Sequence, residues 1–341
     1  MRQANLVEPT CFEIQTVEVP TPAAHEVLIR VEKAGICGSD VHAYYGKHPF
    51  ITCPVVPGHE FVGTVEAVGG GSDDLIGKRV TVLPSLVCGE CDNCRTGRSN
   101  ICNSLRVMGC QSTGAFADYV LAPRDLIFVL PDDMSWDQGV LIEPLAVAVH
   151  GVQRVERISG KSVLVLGAGT IGLMTIAVLS AYGAGKIIVS DLNDKRLELA
   201  KEFGADVVVN PARESLADVV RQQTQELDVV IECVGIGETI NQGIVLLRKG
   251  GDLVVAGVFE EDVVVKMGLV QDKEIRMIGT LMYDHRDYFE AIRLMSQRPE
   301  LTKIITDRFE LAQVDAAFQQ IAKNAAQSIK VLIEIAAGAG K

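Results

Sequence analysis

The segment Gly35-Ile36-Cys37-Gly38-Ser39-Asp40-Val41-His42, taken with Gly58-His59-Glu60, collects a thiol, an imidazole and a carboxylate in one short stretch. These are the three ligand types zinc accepts, and Ser39 and His42 beside them are suited to moving a proton. Spacing alone leaves two readings open: a metal site, or a buried Cys and a surface His that never meet. The flanking chain bears on the choice. Val27-Leu28-Ile29-Arg30-Val31-Glu32 alternates like a strand that ends near Cys37 and turns through Gly38. Phe61 to Val68 reads as a second strand leaving Glu60, so two strand ends can meet at one ion.

A second cluster is Cys88-Gly89-Glu90-Cys91-Asp92-Asn93-Cys94, completed by Cys102. Four thiolates close a tetrahedron with no exchangeable position, which makes such a site structural. The loop around them (Glu90, Asp92, Asn93, Arg95, Thr96, Arg98) is polar and offers no core in which four unrelated cysteines could be buried. Glu143 stands near the start of an apolar helical run, Leu141 to His150, with Pro144 suited to the first turn. Such a carboxylate needs a partner, either a nearby cation or the helix N-terminus.

At 341 residues the chain exceeds one ordinary core, and two domains are expected. Hydrophobic content of 48% supports packed domains, and no window has the length of a membrane span. The N-terminus shows no apolar signal core, so a cytoplasmic setting is expected, where nine cysteines call for ligation rather than disulfides. A net charge of −12 argues against a nucleic-acid partner.

Residues 1 to about 145 read as short strands broken by Pro, Gly and Asp turns. From Ser162 the pattern becomes strand then helix, repeatedly, with fully apolar strands: an α/β unit built on a parallel sheet covered on both faces. Its first turn, Gly167-Ala168-Gly169-Thr170-Ile171-Gly172, follows a strand and opens a helix, and Asp191 ends the next strand. Gly167 permits the turn, Gly169 lets backbone approach a pyrophosphate, and Gly172 lets helix meet sheet. Asp191 suits the adenosine ribose hydroxyls and repels a 2′-phosphate, which points to NAD rather than NADP. Thr170, Ile171 and Arg196 are counted with these cofactor contacts. After about Gly279 a helix, a strand at Ile304-Ile305, a helix from Asp315 and a strand Ile329 to Glu334 are expected to rejoin the first domain. The tail Gly338 to Lys341 is expected to fray.

These residues, in this order, resemble the zinc-dependent medium-chain alcohol dehydrogenases over nearly the whole chain, and the polyol (sorbitol-like) and sugar-acid branch in particular. The resemblance implies a Rossmann doubly wound parallel sheet over 146–283 and a discontinuous, β-rich, GroES-like catalytic domain over 1–145 and 284–341, with a structural zinc lobe at 86–104. It implies two zincs per chain. Cys37, His59 and Glu60 would surround the catalytic one, with Glu143 approaching directly or through water, and Cys88, Cys91, Cys94 and Cys102 would hold the other. Asp40 would orient His59. Ser39 would take the proton of the substrate hydroxyl and pass it, by way of the nicotinamide ribose, to His42.

The implied reaction is NAD-dependent oxidation of a secondary hydroxyl of a polyol or sugar acid to a ketone, through a zinc-bound alkoxide. A small diol or another secondary alcohol is the alternative within the family. One departure concerns the polyol chain: sorbitol-type enzymes often carry Arg before a Tyr just after the cofactor domain, and here Met282 precedes Tyr283. Tyr44, Tyr45 and Phe50 are candidates for the substrate cleft, with packing, the more usual role of aromatics in such loops, as the other reading. His25, His48, His150, Cys11, Cys53, Cys110 and Cys233 are read as packing or surface residues. A homo-oligomer, tetramer or dimer, is expected through the last cofactor-domain strands, near Val263–Val265 and Ile275–Ile278. Two rivals lie outside enzymes: a non-catalytic nucleotide sensor, which needs no Ser39–His42 path, and a zinc-ribbon nucleic-acid module, which the acidic balance disfavours.

Overall fold

The structure, a computed structural model, describes residues 1–71, 73–324 and 327–336, so Gly338–Lys341 lies outside the described residues. It divides into two compact units, Met1–Glu143 with Asp284–Lys341, and Pro144–Tyr283.

The first unit is built on a seven-stranded sheet. Its central strand, Glu26–Ile36, runs antiparallel to Glu60–Val68 on one side and to Lys330–Glu334 on the other. An antiparallel arrangement sets the end of one strand beside the beginnings of both neighbours. Gly35 accordingly pairs with Glu60, and Ile36 with Val331. Cys37, His59, Glu60 and Lys330 are thereby delivered to one edge of the sheet by three different strands. Val27, Ile29, Val62, Val65 and Leu332 hold that sheet against its core, all buried. Beyond Cys37 the chain forms a helix, Gly38–Tyr44, rather than the expected open turn, because the Asp40 carboxylate reaches back to accept the Cys37 N–H at 2.9 Å.

The second unit holds a six-stranded parallel sheet in the order Val207–Val209, Lys186–Ser190, Ser162–Leu166, Val229–Glu232, Asp252–Val255, Arg276–Gly279. This order reverses direction at the first strand in sequence, the doubly wound pattern of dinucleotide-binding folds. Alternate residues explain why the strands are apolar throughout. Leu164, Leu166, Ile188, Val230 and Leu253 pack with the helices Leu216–Gln223 and Gly237–Leu246, while Val163, Val165, Val189, Ile231 and Val254, pointing the other way, are buried too.

Val263–Val265 does not form a strand: the side chain of Asn241 accepts from the Lys266 N–H and donates to the Val264 carbonyl, standing in for a strand partner, and Val264 is 88% exposed. Among the described residues no helix is long and apolar enough to cross a membrane.

Candidate functional site

The donor atoms of Cys37, His59 and Glu60 lie within 4.8 Å of one another. Sequence distance between them is bridged by the pairing of the two strands described above. Glu60 can occupy this place only because its cross-strand neighbour is glycine, since a Cβ on Gly35 would sit 2.1 Å from the Glu60 Oε2. Asp40 braces the same cluster from below. One of its oxygens takes the Cys37 N–H, and the other lies 3.5 Å from His59 Nδ1.

The electrostatics are those of a buried site. Burial pushes the Asp40 carboxyl up. For His59 burial pulls the imidazole down, but the charges of Asp40 and Cys37 outweigh it and hold the ring well above its ordinary range. A site that favours a cation on its imidazole in this way also suits a metal cation.

Three neighbours escaped the sequence reading. Lys330, 2% exposed, donates from Nζ to both Glu60 oxygens at 2.7 Å and to the Ile36 carbonyl at 3.1 Å. Burial alone would lower this lysine, but Glu60 and then Cys37 hold it above its usual value. Its sequence signal was a single cation inside the apolar closing strand Ile329–Ile333, which demands a buried partner. Cys110, read as packing, is within electrostatic reach of His59, though burial is the larger influence and pushes its thiol up. His48 is within electrostatic reach of His42 and His59, though burial is the larger influence lowering it, and its Nδ1 accepts the Phe50 N–H at 3.1 Å. No local pattern marks either residue, because both arrive on loops folded back over the site.

The other expected residues fall as follows. Ser39 and His42 are half-buried on the helix that starts after Cys37. Glu143 is buried at the second position of the helix Ile142–Gln153 and does not join the three converging donors. Tyr44 is not a cleft residue. It is 1% exposed, donates to Asp315 at 2.9 Å and packs against Phe12 and Phe318, whereas Tyr45 and Phe50 are exposed.

In the polar lobe, Cys88, Cys91, Cys94 and Cys102 form the second cluster. The Cys88–Cys102 and Cys91–Cys102 sulfurs are 3.5 and 4.0 Å apart. A tetrahedral zinc with Zn–S near ~2.3 Å requires edges of about 3.8 Å, so these side chains are spaced for it. Backbone N–H groups of Cys88, Cys91 and Ser104 point at the sulfurs, which favours thiolates. The lobe fits a structural zinc.

In the second unit, Gly167 has φ +93°, a Cβ on Gly172 would lie 1.9 Å from the Gly167 carbonyl oxygen, and the space at Gly169 is open. The helix Thr170–Ala181 begins there, with Thr170 and Ile171 in its first turn. Asp191 follows the strand Lys186–Ser190, and its oxygens accept the Ala168 N–H at 2.7 Å and the Asn193 N–H at 2.8 Å. Arg196 stands in the first turn of the next helix, Asp194–Glu202.

Residues 23–132 match the alcohol dehydrogenase GroES-like domain, and residues 170–297 match the zinc-binding dehydrogenase domain. The chain belongs to the zinc-type alcohol dehydrogenase family. It is 32% identical to the sorbitol dehydrogenase of Bacillus subtilis over 94% of each chain. Among solved structures, an alcohol dehydrogenase from Escherichia coli CFT073 complexed with NADH superposes with a TM-score of 0.91 at 31% identity, over 98% of this chain and 99% of that one. A zinc-binding dehydrogenase from Sinorhizobium meliloti bound to NADP superposes with a TM-score of 0.90 at 33% identity, over 98% of each. The chain is therefore an alcohol/polyol-type dehydrogenase of this family, built from its GroES-like and Rossmann-type domains.

Proposed function

We propose that this dehydrogenase uses zinc and NAD to oxidise a secondary hydroxyl of a polyol or sugar acid to a ketone. The observation that carries the reading is the convergence of Cys37, His59 and Glu60 immediately before the helix bearing Ser39 and His42. Zinc held there by Cys37 and His59, with Glu60 and Glu143 as the nearby carboxylates, would supply a Lewis acid that makes a substrate hydroxyl more acidic. Ser39 takes the proton of that hydroxyl, and His42, one helical turn further on, receives it on the way to solvent. Asp40, 3.5 Å from His59 Nδ1, is the carboxylate placed to orient that ring once it binds metal.

In the cofactor unit, the open backbone at Gly169 and the helix N-terminus at Thr170 take the pyrophosphate, with Ile171 and Arg196 close by. The charge of Asp191 favours the unphosphorylated ribose of NAD. The sorbitol dehydrogenase relative supports a polyol substrate, and the NADH-complexed neighbour supports the cofactor. We also place the protein in the cytoplasm as a homo-oligomer, tetramer or dimer. Nine free cysteines suit a reducing compartment.

The test is NADH absorbance on mixing with a panel of polyols and sugar acids, before and after chelation. Turnover on at least one secondary alcohol, lost when metal leaves the Cys37 site and restored by zinc, is expected. Turnover that persists without metal at that site overturns the reading.

A further inference from the structure

At the carboxyl end of the parallel sheet stands a buried carboxylate with no part in the proton path. Glu232, the last residue of the strand Val229–Glu232, is 0% exposed and, among the described residues, makes no ion pair. A buried carboxylate without a cation must be held by hydrogen-bond donors. Its oxygens accept the Val234 N–H at 2.8 Å, the Gly235 N–H at 2.9 and 3.1 Å, and the Thr239 hydroxyl at 2.8 Å. Successive backbone N–H groups turned onto one anion form a nest around it. Two glycines make room for this arrangement. Gly235 has φ +83°, and a Cβ there would lie 2.2 Å from the Val258 carbonyl oxygen, while a Cβ on Gly257 would lie 2.6 Å from Glu232 Oε2.

The carboxylate thereby sets the course of the chain from Cys233 to Ile236, which runs beside the glycine turn. Glu232 pairs with Leu166, the residue before that turn, and the Cys233 N–H donates to the Leu166 carbonyl at 2.9 Å. Val234 lies over the turn itself, where a Cβ on Gly167 would meet its Cγ2 at 2.7 Å. Val234, Ile236 and Val258 are 43%, 45% and 69% exposed, an apolar rim at the strand ends. Asp191 ends the strand on the opposite side of Ser162–Leu166. A dinucleotide with its adenosine ribose at Asp191 and its pyrophosphate at Gly169 therefore carries its other half toward this rim.

We propose that Glu232 is a positioning residue for the nicotinamide half of the cofactor, acting through the Val234–Gly235 backbone that it pins. The inference rests on the NAD reading above.

The experiment compares wild type, Glu232→Gln and Thr239→Val in the full zinc-loaded chain with two probes: NADH, titrated by its fluorescence, and 5′-AMP, which carries the adenosine half alone, titrated by calorimetry. Glutamine keeps the size of the side chain but loses its charge and turns an N–H toward backbone donors. Glu232→Gln is expected to weaken NADH about ten-fold and Thr239→Val about two-fold, with AMP affinity unchanged in both. Equal weakening of NADH and AMP, the mark of a residue that only supports the fold, overturns the proposal, as does unchanged NADH affinity in Glu232→Gln. If Glu232→Gln does not fold, Thr239→Val decides by the same comparison. A wild type that does not bind NADH overturns the NAD reading itself, and the proposal with it.

Discussion

Replacing Lys330 with methionine removes the cation that holds Glu60 while keeping most of the side-chain volume. Both partners are almost fully buried, Lys330 at 2% and Glu60 at 1% exposure, so water cannot replace what is lost. Three hydrogen bonds from the ammonium disappear, two to the Glu60 carboxylate at 2.7 Å and one to the Ile36 carbonyl at 3.1 Å. Leaving a buried carboxylate without its partner costs about 3–5 kcal/mol. The assay is urea unfolding of zinc-loaded protein followed by far-ultraviolet circular dichroism, with the change in midpoint converted through the slope. The double variant Lys330→Met/Glu60→Gln is the control. It removes both charges, and most of the lost stability should return, because a neutral replacement of a buried pair is often close to neutral in energy. Were Lys330→Met to cost under about 1 kcal/mol, or the double variant to be as unstable as the single, the claim that this lysine neutralises Glu60 would be wrong.

Cys94→Ser in the polar lobe should reduce bound zinc from two per chain to one and expose the 86–104 segment to limited proteolysis, because little apolar packing remains there; retention of both zincs would refute the four-cysteine site. Asp191→Ser should weaken NAD by about 1–2 kcal/mol and narrow the preference over NADP, read from KM for each; an unchanged ratio would remove Asp191 from the ribose site. Asp137 accepts from Lys33 at 2.7 Å and Arg308 at 2.6 Å, and although burial acts to raise it, Arg308 and then Lys33 hold the carboxyl below its usual range. A depressed folded-state value stabilises above the ordinary carboxylate range and is lost as pH falls through that value. Asp137→Asn should therefore cost about 1 kcal/mol at neutral pH, a modest figure because the group is partly exposed, and the difference from wild type should shrink in acid; a pH-independent difference would refute the ion-pair account.

Much of this was legible because the relevant physics is local. Gly167, Gly169 and Gly172 announce a turn, an open approach and a helix–sheet contact within six positions, and fully apolar strands can only be buried on two faces. The four cysteines were legible for the same reason, since a metal lobe is closed by residues close in sequence. What could not be read was whatever depends on strands far apart. Lys330 reaches Glu60 only because the closing strand returns beside Glu26–Ile36, a pairing across some 300 residues of chain that no window contains. The stranded cation was visible, but its partner was not. Cys110 was harder still: Gly109 lets its loop lie on Gly58, which carries the thiol within electrostatic reach of His59, and nothing in the composition of that loop marks it. Tyr44 could be read either way, as a cleft aromatic or as packing, and the helix decides it by turning the ring inward onto Phe12 and Phe318. Motifs therefore name the donors of such a site, and the sheet register decides which charges surround them.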